Sequence, residues 1–262
     1  MGWMGTGYDG IEKAWENLPG GGDKGPRRVW LKPTTTNRFM FLDDDPATLW
    51  EHQFQYNGKW TNWEPCVIRN KFGPSCPVCD AYDDSYPSYV GLHTVINMTP
   101  WFTKKAQQEV NFNREIFAAK LGGDKKPGVL KKLKKLKEKH GRLRGLIFDV
   151  ERPGEKTESC GSEFDLVESI DPSEIRAYSM KELEAYVSRL NENAPKDKET
   201  TVEKVWERNP WESYDFEEVI KPRSIDELRG MFSKRGSNKD SDSSDTGSGA
   251  AERERDDDDI PY

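Results

Sequence analysis

The sequence is poor in the side chains that most often do chemistry: it has three histidines and four cysteines in 262 residues. No apolar run approaches the roughly 20 residues that cross a bilayer, and no basic-then-apolar leader opens the chain. A soluble, intracellular protein with no membrane partner is therefore expected. There is no phosphate-binding glycine loop, no nucleophile beside a base, and no carboxylate cluster on a recognisable scaffold, which argues against an enzyme. Asp43, Asp44 and Asp45 invite comparison with a two-metal site, but three successive side chains in a turn splay apart. The absence of an internal repeat excludes a solenoid. With only 34% hydrophobic residues against 33% charged, part of the chain must stay outside any core.

Charge is placed unevenly. From Asp240 to Tyr262 there are nine acids and two bases, a balance equal to the net −7 of the whole chain, so residues 1–239 sum to zero. The acidity therefore belongs to the tail, and a nucleic-acid-binding body is compatible with it.

Three of the four cysteines fall in one stretch. His52, thirteen residues, Cys66, nine residues, Cys76, two residues and Cys79 form the layout of a Cys₃His site of the kind that zinc fills when its role is structural. Four protein ligands leave no open position, so one structural Zn²⁺ should fold the segment and not catalyse. Spacing favours His52 as the fourth ligand over His93, which lies beyond Cys79 in an apolar run. Cys160 is left unpaired, which suits a reducing compartment.

Along the chain, residues 1–26 form an arm in which Ile11, Ala14, Trp15 and Leu18 share one helical face. Such a face needs cover, from its own domain or from a neighbouring copy. Strands are predicted at 29–32, 38–42, 89–98, 115–120, 143–152 and 162–167, with a helix at 127–139 that Gly141 stops. Short strands with one interrupting helix suggest a mainly β fold with accessory helices. The leading candidate is the oligonucleotide-binding (OB) barrel over 27–170, with a zinc subdomain at about 52–79. Residues 171–235 read as a small helical extension in which Trp206, Trp211, Tyr214 and Phe216 pack, and 236–262 as a disordered acidic tail.

Between Asp124 and Arg144 there are ten bases and two acids. The expectation is a one-signed lysine face, through Lys131, Lys132, Lys134 and Lys135, with no acids at i+4 to neutralise it. Aromatic residues supply stacking platforms beside cations: Tyr56 and Trp60 in the metal segment, Trp101 and Phe102 beside Lys104 and Lys105, and Phe112 beside Arg114. That pairing suits single-stranded nucleic acid, whose bases stack on rings while cations follow the backbone.

The metal segment resembles the zinc-containing helix-destabilising proteins of T-even phages, which bind single-stranded DNA. The likeness runs from the strand ending Phe41-Leu42 through His52, Asn57-Gly58-Lys59-Trp60, Cys66 and Ser75-Cys76-Pro77-Val78-Cys79. It implies an OB fold with a zinc subdomain, ligands at His52, Cys66, Cys76 and Cys79, and sequence-independent binding that protects single-stranded DNA during phage replication, recombination and repair in the host cytoplasm. The interval from His52 to Cys66 is slightly longer than in that family, and its short basic N-terminal arm is absent. Asp256, Asp257, Asp258, Asp259, Ile260, Pro261 and Tyr262 are similar to the acidic tip with which bacterial single-stranded-DNA-binding proteins recruit replication and recombination partners. Self-association on DNA is a further expectation. A zinc-dependent RNA-binding or transcription accessory protein, or a single-strand annealing protein, is the alternative the residues leave open.

Overall fold

The computed structural model describes residues 26–56, 59–60, 63–81, 86–103, 108–123, 128–192 and 199–233. The expected piece at 11–18, Lys104, Lys105, Lys125, Lys126 and the tail with its tip at 256–262 lie outside the described residues, as do the side chains of Tyr56 and Trp60. In chain order the strands are β1 (Thr35–Phe41), β2 (Ala47–His52), β3 (Gln55–Tyr56), β4 (Lys59–Trp60), β5 (Glu64–Pro65), β6 (Ser88–Asn97), β7 (Trp101–Thr103), β8 (Gln108–Val110), β9 (Asn113–Lys120), β10 (Leu146–Arg152) and β11 (Glu163–Ser169). The helices are α1 (Pro77–Ala81), α2 (Val129–His140), α3 (Ile175–Asn191), α4 (Val202–Arg208), α5 (Phe216–Val219) and α6 (Ile225–Ser233). The described chain is mainly β with a few helices, and its strand pairs are antiparallel. No described helix is long and apolar enough to cross a membrane.

The chain divides into two compact units. One takes the residues up to Leu49 and Ser88–Ile220, the other Trp50–Pro87 and the residues from Lys221 on. In the first unit the sheet runs β11-β10-β1-β6-β9. Alternation along each strand sends side chains to two faces. Phe39, Phe41, Val95, Phe117, Phe148 and Val150 fall in one core cluster, while Met40, Leu42, Ile96 and Ile147 fall in a second, and Val90, Leu92 and Ile116 in a third. A sheet apolar on both faces needs two covers.

Helix α2 covers the first cluster with Val129, Leu130, Leu133 and Leu136. It comes very close to β6: a Cβ at Gly91 would stand 2.4 Å from Leu130 Cδ1. Beneath it Phe41 and Phe148 meet edge to face with centroids 5.8 Å apart, a contact that adds to the ~1.5–3 kcal/mol each such side chain contributes by burial. The helix has no side-chain cap of its own. Glu158 supplies the acceptor from a distant loop, taking the Val129 N–H at 2.9 Å, and Gly141 ends the helix in the left-handed region at φ 78°.

The other clusters are covered by the residues after 170. Ile175, Leu183, Tyr186 and Trp211 pack on Met40, Leu42, Ile96 and Phe112, and Tyr214, Phe216, Val219 and Ile220 pack on Val90, Leu92 and Ile116. The expected strand at 29–32 does not form. Val29 N–H donates to Ile116 and Leu31 N–H to Ser159, so the segment serves two partners and makes one isolated bridge, at Arg28.

The second unit joins two stretches far apart in sequence. Glu51 and His52 of β2 pair with Pro65 and Glu64 of β5, and β3 pairs with β4. Its core gathers Phe54, Cys66, Val67, Cys76, Val78 and Leu228, with Trp50, Ile225 and Met231 around them. Residues 221–233, expected within one helical extension, thus belong with the metal segment, whereas residues up to Ile220 belong with the sheet.

His93 is fully buried in β6, packed edge to face on Phe41 with centroids 5.6 Å apart. Neither ring nitrogen has a hydrogen-bond partner among the described residues. Burial pushes its pKa down to about 4. The unfolded chain takes up this proton below about 6.5 and the folded chain only near 4, so stability is lost as pH falls through that window. His93 contributes a loss on the order of 1 kcal/mol per pH unit there, against which Glu115, raised to about 7 by burial, works with the opposite sign. His93→Leu should flatten this dependence in denaturant titrations at pH 6.5, 5.5 and 4.5; an unchanged slope would mean that the ring is not the group taking up the proton.

Candidate metal centre

The ligand atoms of His52, Cys66, Cys76 and Cys79 all lie within 4.8 Å of one another. His52 Nε2 stands 3.5 Å from Cys76 Sγ and 3.4 Å from Cys79 Sγ, and Cys66 Sγ stands 3.8 Å from Cys79 Sγ. The sulfurs are unbonded thiols. His52, Cys66 and Cys76 have no exposed surface. His93 does not join them; it lies in β6 of the first unit. The four residues could therefore hold a metal ion, and four protein donors would fill a tetrahedral one completely.

Local structure explains how four donors converge. His52 ends β2, and Cys66 follows β5, the strand paired with that end. After Cys66 the chain turns sharply: Phe72 N–H bonds to Val67 O at 2.9 Å, and Lys71 takes φ 62°. Cys76 and Cys79 then flank the start of α1. Burial acts to raise the Cys76 thiol, but hydrogen bonds from His52 and from the backbone N–H groups of Cys79, Val67 and Val78 outweigh it and hold the group near 6. Burial and the neighbouring sulfurs push Cys79 up to about 12, and burial raises Cys66 as well. Three sulfurs crowded this closely could all ionise only around a shared cation.

Two supports were not evident in the sequence. Asn70 Oδ1 accepts the Trp50 N–H at 2.9 Å, while its Nδ2 donates to Trp50 O at 2.7 Å and Cys66 O at 2.9 Å. One amide therefore straps the Cys66 turn to β2. Glu64 is buried beside the site and takes the Arg223 N–H at 3.0 Å and its guanidinium at 2.8 Å, which holds the start of the α6 segment. Burial raises the Glu64 pKa and Arg223 opposes the rise. Asn70 sits four residues after Cys66, the one signal that could have singled it out.

The expected nucleic-acid residues fare differently. Trp101 is half-buried with the Arg27 guanidinium 5.2 Å from its ring centroid, and Phe102 is 58% exposed. Phe112, expected as a stacking platform, is instead buried against Tyr186 and Trp211. Arg114 is half-buried, 4.1 Å over the Tyr214 ring and bonded to Glu212 O. The lysine face of α2 also differs from expectation, because acids do reach it. Lys132 pairs with Glu163 at 2.9 Å, Lys137 with Asp45 at 2.6 Å and Lys134 with Glu138, an i+4 neighbour, at 3.9 Å. Lys131 and Lys135 have no such pair among the described residues. Asp43 and Asp44 turn elsewhere, to the N–H groups of Thr94 and of Leu143 and Arg144.

Surface rings beside cations were missed in both units. In the second, Arg69 lies 5.4 Å from the Trp50 ring and 5.8 Å from that of Tyr86, which is 79% exposed. In the first, Trp30 is 41% exposed; Arg152, 5.7 Å from its ring, is itself buried and bonded to Leu31 O and Glu155 O. Compared with protein-family models, curated proteins and solved structures, the chain matches none of them.

Losing one sulfur should empty the site and loosen the unit around it. Cys76→Ser should lower bound metal, measured by elemental analysis, to a small fraction of one per chain, and lower the melting temperature with it. Asn70→Ala, which keeps all four donors, removes the three hydrogen bonds of the strap; it should cost roughly 1–3 kcal/mol and release metal to a chromophoric chelator faster. Metal release at the wild-type rate would show that the strap does not hold the site.

Proposed function

We propose that the chain binds single-stranded DNA without regard to sequence, on an OB barrel carrying a structural zinc, and that it serves phage replication, recombination and repair. The observation that carries this reading is the set of partly or fully exposed rings lying beside exposed cations, Trp50 and Tyr86 with Arg69 and Trp101 with Arg27, with Trp30 as a further exposed ring. A base can stack on any exposed ring, at about 1–3 kcal/mol each, while the adjacent guanidinium meets the phosphate. Phe102 adds a further exposed ring, and Lys131 and Lys135 with the rest of the α2 face supply positive charge. The antiparallel sheet with α2 between β9 and β10 is compatible with a barrel of this kind.

Zinc is the metal that the donor set fits. With Zn–S near 2.3 Å and Zn–N near 2.0–2.1 Å, a tetrahedron has edges of about 3.8 Å between sulfurs and about 3.5 Å between sulfur and nitrogen. Three of the six distances here are 3.8 Å, 3.4 Å and 3.5 Å, and the others lie within 4.8 Å. When bound, zinc would neutralise the thiolates and fix the fold of the segment, and four protein ligands leave it no position for a reacting water. The acidic segment Asp256, Asp257, Asp258, Asp259, Ile260, Pro261 and Tyr262 fits recruitment of partner proteins, as a run of carboxylates beside a short apolar stretch suits a basic-rimmed pocket.

Fluorescence polarisation with labelled oligo-dT, the matching RNA and duplex DNA, each over a range of salt, tests the reading. The dT strand should bind most tightly, with a steep fall in log affinity against log salt. Lys131→Glu, Lys134→Glu and Lys135→Glu together should flatten that slope by up to about 2, at about 0.7 for each phosphate contact removed. No preference for dT over duplex would overturn single-strand binding; an unchanged slope would move the DNA path off α2.

A further inference from the structure

A cavity of about 150 Å³ opens in the first unit, walled by the rings of Trp30, Phe39 and Trp101 and lined on its polar side by Arg27, Asn97 and Glu115. It is well below the roughly 300–1,000 Å³ of a drug-sized site, and it suits one planar ring system. Glu115 is the unusual member. Its side chain is 2% exposed, yet among the described residues its only paired cation is Arg27, with Nε 3.8 Å from Oε1. Among the described residues Oε1 accepts no hydrogen bond, and Oε2 has only Asn97 Nδ2 at a long 3.5 Å. Burial, against the pull of Arg27 and Asn97, pushes the carboxyl up to about 7.

A buried carboxyl this poorly bonded is costly unless something completes its bonding. Two parallel N–H donors match its two oxygens, as in a fork-to-fork pair. Among the bases of DNA, guanine presents such adjacent donors, N1–H and the N2 amino group, on its Watson–Crick edge. Adenine and cytosine set a donor beside an acceptor, and thymine flanks its single N–H with carbonyl oxygens that a carboxylate repels. Trp30 and Trp101 would meet the ring faces, and Arg27, beside Trp101, a phosphate or the Glu115 charge.

Building on the single-strand reading, we infer that this cavity is a guanine subsite, in which Glu115 accepts the N1–H and N2–H of one unpaired guanine. Phosphate contacts and open-surface stacking stay blind to sequence; this one position reads a base.

The test measures wild-type affinity for an oligo-dT of about 16 nucleotides, within the range covered by one barrel of this kind, and for the same strand with isolated guanines or isolated inosines. Inosine keeps N1–H and lacks the N2 amino group. The guanine strand should bind about tenfold more tightly than dT, the scale of one good bidentate contact, and inosine should forfeit most of that gain. Glu115→Gln, close in shape, should keep the dT affinity and lose the guanine preference. The inosine arm uses wild-type protein alone and stands even if the variant fails to fold. Equal binding of the three strands overturns the subsite and leaves the single-strand reading intact, and so does a preference that survives in Glu115→Gln. Failure to bind any of them overturns both.

Discussion

The mutual crowding of Cys66, Cys76 and Cys79 is the constraint on which the second unit depends. Sulfur atoms 3.8 Å apart and an imidazole nitrogen 3.4–3.5 Å from two of them cannot all carry charge or all shed water without a shared counter-ion. The backbone has committed to this arrangement through the Asn70 strap, the β2–β5 pair and the turn after Cys66. Around it the apolar core is thin: Phe54, Val67, Val78 and Leu228 are its fully covered hydrocarbon side chains among the described residues. A core that small supplies little by burial alone, so the polar centre carries an outsized share of the unit's stability.

The first unit rests on ordinary packing. Its strands are covered on both sides, so nearly every position of β6 is buried, and Gly91 is where α2 comes nearest. Cover for the other side comes from the segment between Ile170 and Ile220, whose tryptophans and tyrosines pack as anchors. Trp211 reaches Phe112, and Tyr214 O–H bonds to Arg114 O at 3.0 Å.

The parts legible in the sequence were those that local spacing encodes. The intervals among His52, Cys66, Cys76 and Cys79 pointed to residues that do converge. The periodicity of Val129, Leu130, Leu133 and Leu136 with Gly141 after it marked α2 within two residues, and the apolar run at 89–98 marked β6. What escaped was set by partners far along the chain. Phe112 looks like a platform among Asn111, Asn113 and Arg114, yet Tyr186 and Trp211 bury it. The lysines of α2 look unopposed until Asp45 and Glu163 fold beside them. Residues 29–32 have strand composition, but their hydrogen bonds go to β9 and to the loop before β11. Asn70 and Arg223 act through backbone and carboxylate groups that no periodicity reveals.

The discontinuity of the second unit bears on how the protein is made. Cys66, Cys76 and Cys79 leave the ribosome early, while Leu228, which lies over their core, follows 141 positions after Pro87. At roughly 5–20 residues per second, that interval is about 7–28 s. During that interval the nascent metal segment has its donors but not its apolar cover, and its thiols stand open to whichever soft cation or oxidant arrives first. The order of synthesis thus separates the four donors, which could hold a metal ion, from the apolar cover that closes over them.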